Sequence, residues 1–170
     1  FTRAQLQDFF AAPDWFPERQ PPMPDIVARG RRPDTLACAY CHLPDGTGRP
    51  ENAALAGLPP DYIRAQVADM KSHVRQRAWA RSDLPSRLMQ QVAETATDAE
   101  IAAAAQYYSK LPMRRKVEIV EATRVPRTRE ERFVYFIAEN EGDEPLGERL
   151  IEVPVDSKRH ELRDPDVTYQ

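Results

Sequence analysis

Cysteine is nearly absent from this chain. Two stand in 170 residues, three positions apart, which excludes a framework of several disulfides and directs attention to their surroundings. Long apolar runs are missing too: no stretch of eighteen or more apolar residues occurs, so no segment reads as a membrane-spanning helix. Neither sign of charge dominates, with 24 basic against 27 acidic side chains. The basic residues lack interleaved aromatics, which makes nucleic-acid binding a poor reading. Phe1, not a methionine, opens the chain, as expected of a protein relieved of a signal peptide.

What is present is unevenly spread. Residues 1–117 hold 16 basic and 13 acidic side chains, and residues 118–170 hold 8 and 14. A positive part joined to a negative part can steer a charged protein partner. Along the chain, residues 2–11 read as a short helix carrying Leu6, Phe9 and Phe10 on one side. Pro13 to Pro24 is rich in proline and aromatics and reads as an extended wrapping segment. A short helical piece, Asp25 to Arg29, ends near Gly30. Pro60 opens a helix expected to run from Asp61 to about Arg75, with Ile63, Val67, Met70 and Val74 on one face. Thr97-Asp98-Ala99-Glu100 is a capping-box pattern, and Pro112 ends the helix it begins, whose buried face is Ile101, Ala104, Ala105, Tyr108 and Leu111. Beyond Pro112, Val117 to Ala122, Arg132 to Glu139 and Glu148 to Val155 read as two or three strands, the last two separated by the polar run Glu139 to Pro145.

The chemistry concentrates at Cys38-Ala39-Tyr40-Cys41-His42. Two thiols at this spacing can each add to one vinyl group of a haem, leaving the adjoining imidazole beneath the iron. His42 is then the proximal ligand. Five residues can match by chance, so the flanking sequence has to decide.

The run Ala37 to Gly48, the segment Leu55-Ala56-Gly57-Leu58-Pro59-Pro60-Asp61-Tyr62-Ile63, Met89-Gln90-Gln91-Val92-Ala93, Thr97 to Ile101 and Tyr107 to Leu111 together resemble class I c-type cytochromes, most closely one haem domain of the two-haem periplasmic cytochromes. The resemblance covers about residues 25–112, with a weaker likeness at Gly147 to Pro154. It implies a mainly α fold: a small cytochrome c helical domain around one covalent haem c, with a C-terminal β-hairpin-like extension. The corresponding division is 1–24, an N-terminal helix and proline-rich wrapping segment; 25–112, the haem domain; and 113–170, a strand-rich acidic extension. The family's second axial ligand is a methionine eight residues before the Thr or Ser that opens the last helix, which is Met89 here. Met70 lies on its helix's apolar stripe, while Met113 and Met23 lie outside the segment between attachment and last helix. His73 falls beside that stripe and reads as a surface residue, and His160, in the acidic tail, as solvated. One family feature is missing. The proline before Leu-Ala-Gly, whose carbonyl accepts from the proximal imidazole, is replaced by Asn52-Ala53-Ala54, leaving Pro50 or a neighbour to supply the acceptor.

The expected function is single-electron transfer in the periplasm, as a carrier or as the relay subunit of a dehydrogenase or oxidase complex, with redox proteins as partners and no catalysis. Leu58, Ile63, Val67, Ile101 and Tyr108 supply an apolar shell. Other readings are an open-site haem enzyme or sensor, a thiol-disulfide oxidoreductase and a zinc site. The third lacks a fourth ligand, and the second wants its cysteines at a helix start within a βαβ unit. Arg64, Lys71, Arg75, Arg77, Arg81 and Arg87, against Asp69 and Asp83, form either a solvated face or a rim for an acidic partner. In the tail, Val117, Ile119, Phe133, Tyr135, Ile137, Leu150, Ile151 and Val153 need cover from the haem domain, a further domain or another protein. These residues hold one attachment motif, hence one covalent haem.

Overall fold

The computed structural model describes residues 1–75, 84–131 and 134–170, so Arg77, Arg81, Asp83, Arg132 and Phe133 lie outside the described residues. The chain divides into two compact units, Phe1–Arg114 and Arg115–Gln170.

The first unit is helical: α1 (Arg3–Leu6), a single 3₁₀ turn (Pro17–Arg19), α2 (Asp25–Ala28), α3 (Cys38–His42), α4 (Pro60–Lys71), α5 (Leu84–Thr95) and α6 (Asp98–Ser109). Its core gathers Ile26 and Val27 of α2, Ala39 of α3, Ala56, Ile63 of α4, and Ala104, Ala105, Tyr107, Tyr108 and Leu111 in and after α6. Small side chains at 104 and 105 let α4 approach α6 closely. The N-terminus of α6 is the expected capping box: Thr97 Oγ1 accepts from the Glu100 amide at 3.2 Å, and Glu100 Oε2 from the Thr97 amide at 2.8 Å. Glu100 also accepts from Arg31 Nε at 2.9 Å, and Arg31 reaches on to the Thr95 carbonyl, so one carboxylate serves a helix end and a tertiary tie.

The N-terminal segment is clasped to α3. Ala37, the residue capping α3, donates its amide to the Phe9 carbonyl at 3.0 Å, and the Tyr40 hydroxyl donates to the Leu6 carbonyl at 3.1 Å. The Phe9 and Tyr40 rings lie 4.5 Å apart, and Arg32 pairs with Asp8. The first helix is shorter than the expected 2–11, because Asp8 Oδ1 accepts the Phe10 amide and turns the chain out of helical geometry. α4 likewise ends at Lys71, not near Arg75. His73 takes a left-handed φ of 60° and the Arg75 amide folds back to the Asp69 carbonyl, which leaves Val74 exposed, off the apolar face.

The second unit pairs short strands in two antiparallel ladders: β1 (Arg124–Pro126) with β4 (Asp143–Pro145), and β2 (Thr128–Glu131) with β3 (Val134–Ile137), followed by α7 (Ser157–Glu161). The β2–β3 register runs from Thr128 opposite Ile137 to Glu131 opposite Val134. The expected strands at Val117 to Ala122 and Glu148 to Val155 do not form. Those segments contribute only single bridges, Val117 and Pro154 each to Tyr169, and Leu150 is 94% exposed. β-branched composition favours a strand only where a partner and a buried face exist, and here the polar run supplies β4 instead. His160 is also corrected: it is not solvated but 4% exposed, with Nδ1 3.1 Å from the Tyr169 hydroxyl and its ring edge-on to Phe136. Asp156 accepts the Arg159 amide and starts the turn that directs His160 inward.

Arg31 first, then the Thr97 amide, hold the Glu100 carboxyl below its ordinary range. Such a group favours folding above its unfolded pKa of about 4.5, and the contribution is lost as pH falls through the lower folded value. Glu100→Gln should therefore be less stable than wild type at neutral pH and lose less of its stability on acidification below that pKa, measured by urea unfolding. Parallel pH profiles for the two proteins would contradict this.

Candidate haem-attachment site

α3 is a single helical turn and a half, and its spacing assembles the site. Cys41 is three residues and His42 four residues after Cys38, which sets all three on one helix face. Leu43 stops the turn with a left-handed φ of 64°, its side chain held in the core. Both cysteines are half-buried, and neither is in a disulfide. Burial, and then the neighbouring Cys41, push the Cys38 thiol up to about 12, the opposite of an activated attacking thiolate.

His42 Nδ1 lies 2.7 Å from the Ala53 carbonyl, which accepts its proton and leaves Nε2 as the nitrogen free to bind a metal. The acceptor left open by the sequence is thus Ala53, not Pro50. Burial holds the imidazole below its ordinary pKa, which favours the neutral form that a ligand needs. The loop reaches His42 because two glycines admit it. A Cβ at Gly48, whose φ is 70°, would stand 2.6 Å from the Asn52 carbonyl oxygen and 2.7 Å from that of Ala53. A Cβ at Gly46 would stand 2.9 Å from the Tyr108 ring. The Gly48 amide donates to the His42 carbonyl at 3.0 Å, closing the turn behind the imidazole.

Tyr108 is fully buried and edge-on to His42, with ring centroids 6.3 Å apart, and among the described residues its hydroxyl has no hydrogen-bond partner. Tyr107 beside it donates to the Pro44 carbonyl at 2.7 Å, tying α6 to the loop after His42. Ile63 and Val67 are buried, and Leu58 and Ile101 half-buried.

Met89 stands in α5, half-buried, a helix the sequence reading did not single out. Leu84, Leu88 and Val92 there, and Ala96 just beyond its end, recur every four residues and are the signal that could have shown it. Polar tethers hold this helix just after Met89: Gln90 Nε2 donates to the Met70 carbonyl at 2.7 Å, and Gln91 Nε2 to the Asp34 carbonyl at 2.8 Å. Of the rivals, Met70 is half-buried, Met113 exposed, and Met23 packs against the core. His73 is exposed, with Nε2 3.7 Å from Glu94. Among the described residues no cluster of three or more His, Cys, Asp or Glu side chains is arranged for a metal ion.

The donor set fits a covalently held haem: two thiols outside any disulfide and an imidazole with one committed nitrogen, all on one face of one turn. The family model for cytochrome c matches residues 27–112, and the chain belongs to that family. It holds one c-type haem domain of the single-electron-transfer kind. Among solved structures it is similar to a thiosulfate dehydrogenase (TsdBA) from Marichromatium purpuratum, at 31% identity over 52% of this chain and 17% of that one, TM-score 0.43. It is also similar to cytochrome c4 of Acidithiobacillus ferrooxidans, at 30% identity over 48% and 44%, TM-score 0.40. A third is reduced cytochrome c4 of Pseudomonas stutzeri, at 24% identity over 49% and 43%, TM-score 0.42. The chain spans less than half the length of each. No curated protein matches it.

Gly48→Ala forces a left-handed alanine against the carbonyl that His42 uses. The haem-loaded variant should lose ~1–3 kcal/mol of stability in chemical denaturation. A wild-type denaturation midpoint would show that the loop is not pressed against His42.

Proposed function

We propose that this protein carries one haem c, bonded through Cys38 and Cys41, with the iron held between His42 and Met89, and that it relays single electrons between redox proteins of the periplasm. The observation that carries the reading is the placement of Cys38, Cys41 and His42 on one face of α3, with the His42 Nδ1 proton already committed to Ala53. The bound haem supplies an iron that accepts and releases one electron. The chain's own residues do the rest. Cys38 and Cys41 fix the porphyrin edge, and His42 presents Nε2 in a set orientation because Ala53 holds the other side of its ring. Met89 offers a thioether, which favours ferrous iron and raises the potential relative to a second imidazole. Ile63, Val67 and Tyr108 exclude water and lower the local dielectric, which disfavours the extra charge of ferric haem.

Two axial ligands retained in both oxidation states keep structural change on electron arrival small. Periplasmic placement rests on the resemblance to the two-haem cytochromes, and among the described residues no helix is long and apolar enough to cross a membrane. Arg64, Lys71, Arg75 and Arg87 are exposed and can serve as a rim for an acidic redox partner, acting on association rate more than on affinity.

The ferric protein should show the weak long-wavelength charge-transfer band of sulfur-ligated haem. Met89→Ala should remove the band, leave the haem attached and lower the potential if a stronger-field ligand takes the position. Loss of the band in Met70→Ala, with Met89→Ala unchanged, would assign the sulfur to Met70 instead.

A further inference from the structure

The loop that offers the His42 acceptor lacks the usual anchors. Ala53 and Ala54 are both exposed, so neither side chain holds the segment in the core, and no proline stiffens it at that point. Its carbonyl nevertheless sits 2.7 Å from His42 Nδ1. The position must be set from the flanks. Downstream, the amides of Leu55 and Ala56 both donate to the Gly46 carbonyl, at 2.8 and 2.9 Å. Upstream lies a tight turn in which Arg49 and Asn52 each donate an amide to the other's carbonyl, at 2.9 and 2.8 Å.

That turn carries a charge pair more buried on both sides than the other ion pairs among the described residues. Arg49 Nε lies 3.1 Å from Glu51 Oε1, and the two side chains are only 8% and 12% exposed. Arg and Glu are rarely so buried unless paired. An exposed ion pair is screened and free to part, whereas a buried one is held together because losing either partner strands the other charge away from water. Glu51 is two residues before Ala53, so the closed pair constrains the backbone just ahead of the acceptor.

We propose that Arg49 and Glu51 are positioning residues for the haem ligand: their buried ion pair closes the 49–52 turn and so holds the Ala53 carbonyl on His42 Nδ1. The proposal rests on the carrier reading above. A firm bond at Nδ1 makes the imidazole more basic, and a more basic ligand favours ferric iron. The ion pair therefore sets the reduction potential downward through a backbone carbonyl, in the role a proline carbonyl fills elsewhere in the family.

The test uses haem-loaded full-length protein, with reduction potential read by redox titration and His42 ring-proton exchange by NMR. Glu51→Gln is expected to raise the potential and to speed ring-proton exchange at least about tenfold, since the loop opens more often. Combining Arg49→Glu with Glu51→Arg should return both quantities toward wild type. Asp25→Asn removes the same charge from an exposed pair with Arg29, 3.6 Å apart, and should change neither. If Glu51→Gln does not fold, Arg49→Lys keeps the charge but loses the guanidinium fork, and should give both shifts in smaller measure. Folded variants with wild-type potential and wild-type exchange would overturn the proposal. A wild-type protein without covalent haem would overturn the carrier reading beneath it, and that is seen before any variant is compared.

Discussion

The hydrogen bond from His42 Nδ1 to the Ala53 carbonyl joins the two parts of the sequence on which the site depends: the turn that bears both cysteines and the loop that leads into α4. Several otherwise separate features serve it. Gly48 can take a left-handed conformation and leaves room for the carbonyl, Gly46 lets Tyr108 close over the loop, and α6 supplies the two tyrosines that press on the same region. Remove the bond and the imidazole keeps its place in sequence but not its direction. A ligand whose ring can turn gives an iron without a defined field, so the orientation matters as much as the presence of the residue.

The unit containing the site is supported from outside the motif as well. The N-terminal segment reaches α3 through Phe9, Leu6 and the Tyr40 ring, and Arg31 links the stretch before α3 to the start of α6 through Glu100. These contacts are long-range in sequence and short in space. They explain why a five-residue helix, too short to be stable alone, holds its shape. Tyr40 has a second meaning in this light: the larger of the two residues between the thiols points away from them, into the N-terminal segment, and leaves the cysteine face clear.

Much of this was legible in the sequence, for identifiable reasons. α6 was readable because its start carries both halves of a capping box and its end a proline. The Cys38–His42 turn was readable because its chemistry depends on spacing alone. Where the reading failed, the deciding term was not local. α4 stops early through a left-handed residue at His73, which a stripe of apolar positions does not reveal. In the tail the expected strand Arg132 to Glu139 contains β3, but β1 and β4 formed at Arg124–Pro126 and Asp143–Pro145, charged and turn-like stretches, while apolar Val117 to Ala122 is unpaired beyond one bridge, because strand formation depends on a partner. The charged neighbours of His160 suggest a solvated side chain, yet the turn begun at Asp156 faces it toward Tyr169 and Phe136. The identity of the His42 acceptor needed three dimensions: the residue involved, Ala53, has no side chain that announces a role.

On the proposed reading, Cys38 and Cys41 hold a haem covalently and His42 is already oriented toward it. The most direct measurement is the intact mass of the protein after unfolding in acid and organic solvent, following expression where c-type haem is attached. The expected mass is that of the polypeptide plus one haem, and that of the bare polypeptide when both cysteines are replaced by alanine. Bare polypeptide mass for the wild-type protein, or one haem retained without the two cysteines, would contradict it.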